Sequence, residues 1–284
     1  MLPLPELPGV RHAYHQLPTG VRLHVAEAGD PAAPALLAVH GWPQHWWLWR
    51  GVIPALAERH RVICPDVRGF GWSGQPDDGD FAKQRLADDM LALLDVLAIE
   101  RAGYLGHDWG GWTGWLLGVQ APERFSRLML VSIIHPWTAR AITLLNSWRA
   151  LYQIPLAAPL LGPALLRDGR IVKAALAGAM PERDAVIFAD VLREPARAHA
   201  SSLLYRHFQL RDLPALAAGR LAGARIELPV KLLFGRGDLL QSPAQLAGVE
   251  RHVPDVDVEL VDGGHLLPDE RPQLVADRAR AWFG

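Results

Sequence analysis

Short apolar segments alternate with amphipathic stretches along the first half of the chain. Residues 21–25 alternate in polarity like a half-buried strand, whereas residues 35–39 and 62–64 are continuous apolar runs typical of buried strands. Residues 86–97 have the Leu, Met and Val spacing of a helix, and residues 127–134 are again a buried-strand run. This alternation predicts an α/β protein with a mostly parallel central sheet and helices on both faces.

The pattern changes after the strand predicted at residues 127–134. Residues 136–217 contain successive helical segments rich in Ala, Leu and Arg, and residues 229–235 and 256–261 then resume the strand pattern. The sequence therefore predicts an α/β-hydrolase type of core made of residues 1–135 and 218–284. Residues 136–217 are predicted to form a helical cap, inserted between the sixth and seventh strands over the carboxyl edge of the sheet.

Composition narrows the class of protein. The 284 residues include 29 basic and 30 acidic side chains, and this balance argues against nucleic acid or an anionic membrane as a partner. We expect a cytoplasmic protein, because no apolar run has membrane-spanning length and the N-terminus lacks a signal-peptide pattern. The single cysteine, Cys64, excludes an internal disulfide and is expected to be buried in a strand. The sequence is compatible with a homodimer.

The most informative motif is residues 106–110, GHDWG, which lies between an apolar run and a helical stretch. This is the pattern of a nucleophile elbow, a sharp strand-to-helix turn whose flanking positions must be small. Asp108 stands where most such elbows carry Ser. A carboxylate attacks carbon by displacing a leaving group and becoming an ester. The motif therefore predicts ring opening or displacement at an sp³ carbon, although Asp108 alone would also suit a helix N-cap.

Groups that support such a nucleophile follow other predicted strands. Asp238 comes after the strand of residues 229–235, and His265 comes after the last strand. The order nucleophile, acid, histidine along the chain is that of α/β-hydrolases. The carboxyl ends of parallel strands meet at one edge of the sheet, so the three side chains are expected to lie close together. A glycine turn before Trp42 also aims its backbone N–H at this edge, where the N–H of Trp109 would complete an oxyanion hole. The other histidines lack metal-ligand spacing, so neither a metal nor a cofactor is expected.

The chain resembles the epoxide hydrolase family of the α/β-hydrolase superfamily over nearly its whole length. The resemblance is carried by HGWP at 40–43, WWLWR at 46–50, DVRGFGWS at 66–73, GHDWGG at 106–111, GRGD at 235–238 and GH at 264–265. These motifs are highly specific for the superfamily and for an Asp nucleophile. They separate epoxide from halide substrates less well, because haloalkane dehalogenases also place Trp after the nucleophilic Asp.

The resemblance implies that Asp108 opens an epoxide and that His265, oriented by Asp238, activates water to release a vicinal diol. Two cap tyrosines bind the epoxide oxygen and supply a proton in that family. Tyr205 matches the second of them. Trp148 stands where the first is expected, and an indole N–H can donate a hydrogen bond but no proton in this pH range. Tyr152 takes the role if the helix register shifts by one turn.

The expected substrates are water and a small, uncharged, lipophilic epoxide, and the candidates for contacting it are His40, Trp148 and His207. Two alternatives stay open. One is a haloalkane or haloacid dehalogenase with the same triad. Dehalogenases often carry Asn or Glu at the position of Trp42, however, and haloacid enzymes usually carry Arg at the position of Trp109. The other is a catalytically silent, ligand-binding hydrolase fold.

Overall fold

The structure is a computed structural model that describes residues 3–284. Eight strands form one sheet: β1 Val10–Gln16, β2 Arg22–Ala28, β3 Ala35–Val39, β4 Arg61–Pro65, β5 Ala102–His107, β6 Phe125–Val131, β7 Val230–Gly235 and β8 Val256–Val261. Their spatial order is β1-β2-β4-β3-β5-β6-β7-β8. The pairs β1–β2 and β2–β4 are antiparallel, and every later pair is parallel. The prediction of a mostly parallel α/β sheet is confirmed.

Twelve α-helices occur in the described chain: α1 Ile53–Ala57, α2 Lys83–Val96, α3 Trp109–Gln120, α4 Arg140–Asn146, α5 Gln153–Ala157, α6 Leu161–Asp168, α7 Arg170–Leu176, α8 Glu182–Arg193, α9 Pro195–His207, α10 Leu213–Ala217, α11 Leu267–Glu270 and α12 Pro272–Phe283. A π-helical turn, Phe208–Asp212, joins α9 to α10, and Trp46–Gly51 is a short 3₁₀ helix. Within residues 3–284, no helix has the length and hydropathy needed to cross a bilayer.

Helices cover both faces of the sheet because successive strand residues point to opposite sides. In β3, Leu37 and Val39 belong to the hydrophobic cluster that includes α2, α3 and the helices after β6. Leu36 and Ala38 belong to the cluster on the other face, with α1 and α12. Cys64 of β4 is fully buried there, as its apolar neighbours predicted.

Seven helices, α4–α10, lie between β6 and β7, in the segment for which the sequence predicts a cap, and we use "the cap" below as the label for residues 136–217. The longer helices α8 and α9 pack against each other, and α9 also contacts α5 and α6. Leu204, Tyr205 and Phe208 join this segment to the larger hydrophobic cluster of the sheet. The α9 helix thereby brings side chains to the edge where β3 and β5 end.

Candidate active site

Asp108 is the single residue between β5 and α3, and its backbone has φ 52° and ψ −118°. A positive φ is costly for a residue with a Cβ, and it turns this side chain out of the strand-to-helix junction. A Cβ on Gly106 would lie 2.5 Å from the carbonyl oxygen of Gly110, and a Cβ on Gly110 would lie 2.1 Å from that of Val39. The backbone therefore packs too closely at the elbow for any residue but glycine at these two positions.

Asp108, His265 and Asp238 lie in a row at the carboxyl edge of the sheet. The Nε2 atom of His265 is 3.3 Å from Oδ2 of Asp108, and its Nδ1 donates to Oδ2 of Asp238 at 2.8 Å. The other oxygen of Asp238 accepts the backbone N–H groups of Leu240 and Gln241 at 2.8 and 2.9 Å. All three side chains of the row are buried. The structure thus brings together the three residues that the sequence predicts as nucleophile, base and orienting acid.

The row has a definite charge state near neutral pH. Burial by itself lowers the pKa of His265, but the carboxylates of Asp238 and Asp108 outweigh it and raise this pKa to about 10. Burial raises the pKa of Asp108, and the hydrogen bonding and charge of His265 outweigh that effect, so the pKa is below its usual range. Asp108 is consequently an ionised carboxylate, which is the form that can attack carbon.

Oδ1 of Asp108 already accepts one backbone N–H, from Trp42, at 2.9 Å. The close approach depends on Gly41, because a Cβ there would lie 2.3 Å from this oxygen. Trp109 is the first residue of α3, so its backbone N–H has no acceptor within the helix. The indole Nε1 of Trp42 donates to Oγ of Ser201 on α9 at 2.6 Å, which ties this turn to the cap.

Two phenol groups meet above the elbow. The ring of Tyr152 contacts the ring of Tyr205 edge to face, with centroids 6.0 Å apart, and the ring of Trp42 lies 5.4 Å from that of Tyr205. Burial raises the pKa of Tyr152 to about 12, and the charge of Asp108 adds to the increase. Trp148 is instead 59% exposed at the rim of the cavity. Of the two candidates for the first cap proton donor, Tyr152 is the one that meets Tyr205.

A cavity of about 810 Å³ extends from Asp108 and His265 into the cap. Its wall is mainly apolar, and the cap contributes Trp148, Arg149, Tyr152, Pro155, Leu156, Leu165, Ile171, Ala175, Ala177, Gly178 and Ala179. The volume is in the range of pockets that enclose small organic ligands. Within residues 3–284, no group of three or more His, Cys, Asp or Glu side chains is arranged to hold a metal ion.

Neither His40 nor His207 is among the described residues that line the cavity, and their contact with substrate stays a prediction. Nδ1 of His40 donates to the carbonyl of Gly41 at 2.9 Å, and Nε2 accepts the N–H of Val67 at 3.0 Å, so both ring nitrogens hold backbone in place. Nδ1 of His207 accepts the backbone N–H of Phe81 at 2.9 Å. These rings fix loops, a role that residue type alone does not reveal.

Glu270 supports the histidine loop and has no counterpart among the predicted site residues. Its carboxylate accepts the backbone N–H groups of Gly264 and Leu266, one on each side of His265. Glu270 also lines the cavity. The only signal in the sequence is an acidic residue five positions after the histidine, which is too common a spacing to identify this role.

Arg149 holds the acid loop from the cap side. Its Nη1 atom donates to the backbone carbonyls of Asp238 and Leu239 at 3.2 and 2.7 Å, while its guanidinium lies over the ring of Trp148. The cap is therefore connected directly to the loop that orients His265. No sequence pattern predicts this contact, because it joins residues about 90 positions apart.

Comparison with known proteins gives matches along nearly the whole chain. The alpha/beta hydrolase fold family matches residues 34–272. The AB hydrolase superfamily protein YfhM of Bacillus subtilis is 29% identical over 275 residues, which are 90% of this chain and 92% of that protein. The soluble epoxide hydrolase of Corynebacterium sp. is 40% identical over 122 residues, which are 43% of this chain and 42% of that enzyme.

Solved structures match over the same extent. A Salmonella enterica protein provisionally named as an acyltransferase has a TM-score of 0.89 at 27% identity and covers 99% of this chain and 97% of its own. The epoxide hydrolase CorEH has a TM-score of 0.82 at 28% identity and covers 96% of this chain and 98% of its own. The α/β-hydrolase fold and the resemblance to epoxide hydrolases that the motifs predicted are thereby confirmed.

Proposed function

This chain belongs to the alpha/beta hydrolase fold family, and we propose that it is an epoxide hydrolase that forms a vicinal diol through an ester on Asp108. The observation that carries the proposal is the environment of this carboxylate. Asp108 is an ionised nucleophile at a strained elbow, with the N–H of Trp42 on one oxygen and His265 beside the other. The likeness to CorEH over nearly the full chain supports the same activity.

In the first step, Oδ2 of Asp108 attacks an epoxide carbon, and the bond between that carbon and the epoxide oxygen breaks. The oxygen takes a proton from the pair formed by Tyr152 and Tyr205, whose phenols stay protonated because burial raises both pKa values. A positioned acid of this kind typically contributes about 10² to 10⁴ in rate. The product of this step is an alkyl ester of Asp108.

The second step follows from the charges around His265. Esterification removes the negative charge of Asp108, which is one of the two carboxylates that raise the pKa of His265. His265 then gives up its proton, which restores the phenol that protonated the epoxide oxygen. Oriented by Asp238, the neutral His265 takes one proton from water as the water oxygen attacks the ester carbon. Negative charge develops on Oδ1, where the N–H groups of Trp42 and Trp109 stabilise it, each by roughly 3–4 kcal/mol. The bond between the ester carbon and Oδ2 then breaks, and the diol leaves with Oδ2 and the second proton of the water.

The cavity supports a lipophilic epoxide as the substrate. Its wall is largely apolar and includes Tyr152, whose ring contacts that of the buried Tyr205, so the pair supplies O–H donors near the nucleophile. An epoxide needs a proton on its departing oxygen, whereas a halide leaves as an anion and gains nothing from proton transfer. The phenol pair therefore favours epoxide opening over the dehalogenase alternative.

Product analysis with purified protein separates the candidate functions. Terminal and aryl epoxides are incubated in parallel with bromoalkanes, and diol and free halide are measured, with Asp108→Ala as the inactive control. We expect diol from epoxides. Halide release without diol would identify a dehalogenase, and heat protection by epoxide without any product would identify a silent binding protein.

The covalent step has its own test. We expect His265→Gln to form the ester without hydrolysing it, so intact-mass spectrometry should show the protein plus one epoxide. Wild type turned over once in ¹⁸O-water should incorporate the label into the carboxylate of Asp108. Label found only in the diol would mean that water attacks the epoxide directly and that no ester forms.

A further inference from the structure

The first cap helices expose an unusual amount of apolar surface. Seven of the 13 large hydrophobic side chains that are exposed within residues 3–284 lie between positions 144 and 161. Six of them are 58% to 88% exposed and define the cap apolar face: Leu144, Leu145, Trp148, Leu151, Ile154 and Leu160. Positions 144, 148, 151 and 154 are three or four residues apart, so they follow one side of a helical path.

The segment that carries this face has a one-sided charge, although the charge of the whole chain is balanced. Residues 136–181 contain five Lys and Arg residues and a single acidic residue, Asp168. Arg140 lies one turn before Leu144, and Arg167 lies two turns after Leu160. Among the ion pairs of residues 3–284, none involves Arg140, Arg167 or Lys173. Along the sequence, exposed cations therefore lie on both sides of the apolar side chains.

The cap apolar face is continuous with the mouth of the cavity. Trp148 belongs to the face and also lines the cavity, and the neighbouring Ile171 is likewise both exposed and cavity-lining. A surface that bound to this face would therefore meet the entrance to the apolar cavity.

We propose that the cap apolar face docks on an anionic lipid surface. Apolar side chains flanked by cations suit such a surface, because the side chains enter the acyl boundary while headgroups neutralise the cations. A second copy of this chain suits it less well. A two-fold contact places the same patch on both subunits and would bring the unpaired cations of the two copies together. The proposal is independent of the reaction, since vesicle binding requires no turnover.

The test is co-sedimentation of the full-length protein with vesicles of phosphatidylcholine, with and without about 30 mol% phosphatidylglycerol. We expect binding mainly to the anionic vesicles and a marked loss of it in the double variant L145S/L160S. The matched control is Leu210→Ser, which removes a leucine that is 70% exposed outside the face. A basic side chain near an anionic surface strengthens binding about fivefold, so R167Q/K173Q should bind roughly 25-fold more weakly.

The outcomes distinguish a lipid surface from a second copy of the chain as the partner of this face. Binding that L145S/L160S and R167Q/K173Q weaken, and that Leu210→Ser does not, supports the proposal. Absence of binding to anionic vesicles overturns it, and so does equal binding by all variants. Sedimentation velocity is run on the same samples. Self-association that disappears in L145S/L160S, without vesicle binding, would show that a second copy covers the face and would also overturn the proposal.

Discussion

The two walls of the cavity are held in different ways. On the core side, Asp108, Asp238 and His265 are buried at strand ends, and backbone N–H groups fix both carboxylates. On the cap side, Tyr152 lies in a turn between short helices, and its neighbour Trp148 is mostly exposed. A sheet edge sets the positions of side chains through backbone hydrogen bonds, whereas a cap made of short helices sets them through side-chain packing.

This difference predicts that substitutions at the core wall have larger effects than substitutions at the cap wall. In the proposed mechanism, the core wall supplies the covalent chemistry, for which no neighbouring group can substitute. The cap side supplies two phenols in that mechanism, so one can compensate in part for loss of the other.

The largest effect is expected for Asp108→Ala. Without the carboxylate no ester can form, so kcat/KM with an epoxide should fall by roughly 10⁴-fold or more. Thermal unfolding of the variant is the control for folding. Activity that remains within tenfold of wild type in a folded Asp108→Ala protein would mean that another group is the nucleophile.

A smaller loss is expected for Tyr152→Phe. One acid remains in Tyr205, so kcat should fall by about 10²-fold, at the low end of the effects of removing a general acid. Tyr14→Phe, which removes a phenol on β1, is the matched control and should keep wild-type kcat. If Tyr152→Phe is also unchanged, Tyr205 alone supplies the proton and the pairing in the cap has no catalytic role.

Two glycine substitutions compare the rigidity of the walls. In Gly110→Ala the new Cβ would lie 2.1 Å from the backbone oxygen of Val39, and we expect a loss of roughly 3 kcal/mol in the free energy of unfolding. In Gly178→Ala, in the cap, nothing lies within 4 Å and only the φ of +81° is unfavourable. The expected loss there is about 1 kcal/mol. Urea titration measures both, and equal losses would show that the walls do not differ.

The pH dependence of stability tests the charges of the core wall. The pKa of His265 is raised from 6.5 to about 10 in the folded protein. Its contribution to stability is therefore complete below about pH 6.5 and is lost as the pH rises through about 10. The difference in free energy of unfolding between wild type and His265→Gln, measured from urea midpoints, should therefore shrink as the pH rises through this window. A constant difference between the two proteins would contradict the raised pKa.

Sequence patterns were sufficient for most of the core and for the residues at its strand ends. The elbow, its flanking glycines and the positions of Asp238 and His265 after strands all followed from local signals. The antiparallel strand β1 was not predicted, because its half-buried residues lack a clear apolar alternation. The backbone hydrogen bonds of His40 and His207 were not predicted, because a histidine that holds a loop has the same sequence signature as a free one.

The sequence by itself determined the α/β architecture and the identity and order of Asp108, Asp238 and His265, because glycine sterics and strand periodicity act over a few residues. Only the tertiary structure decided that Tyr152 rather than Trp148 meets Tyr205, since this depends on how short cap helices pack against distant segments. Folding also decided the charges of the site. The raised pKa of His265 and the lowered pKa of Asp108 exist only when the two groups are buried side by side, because their interaction in water would be weak.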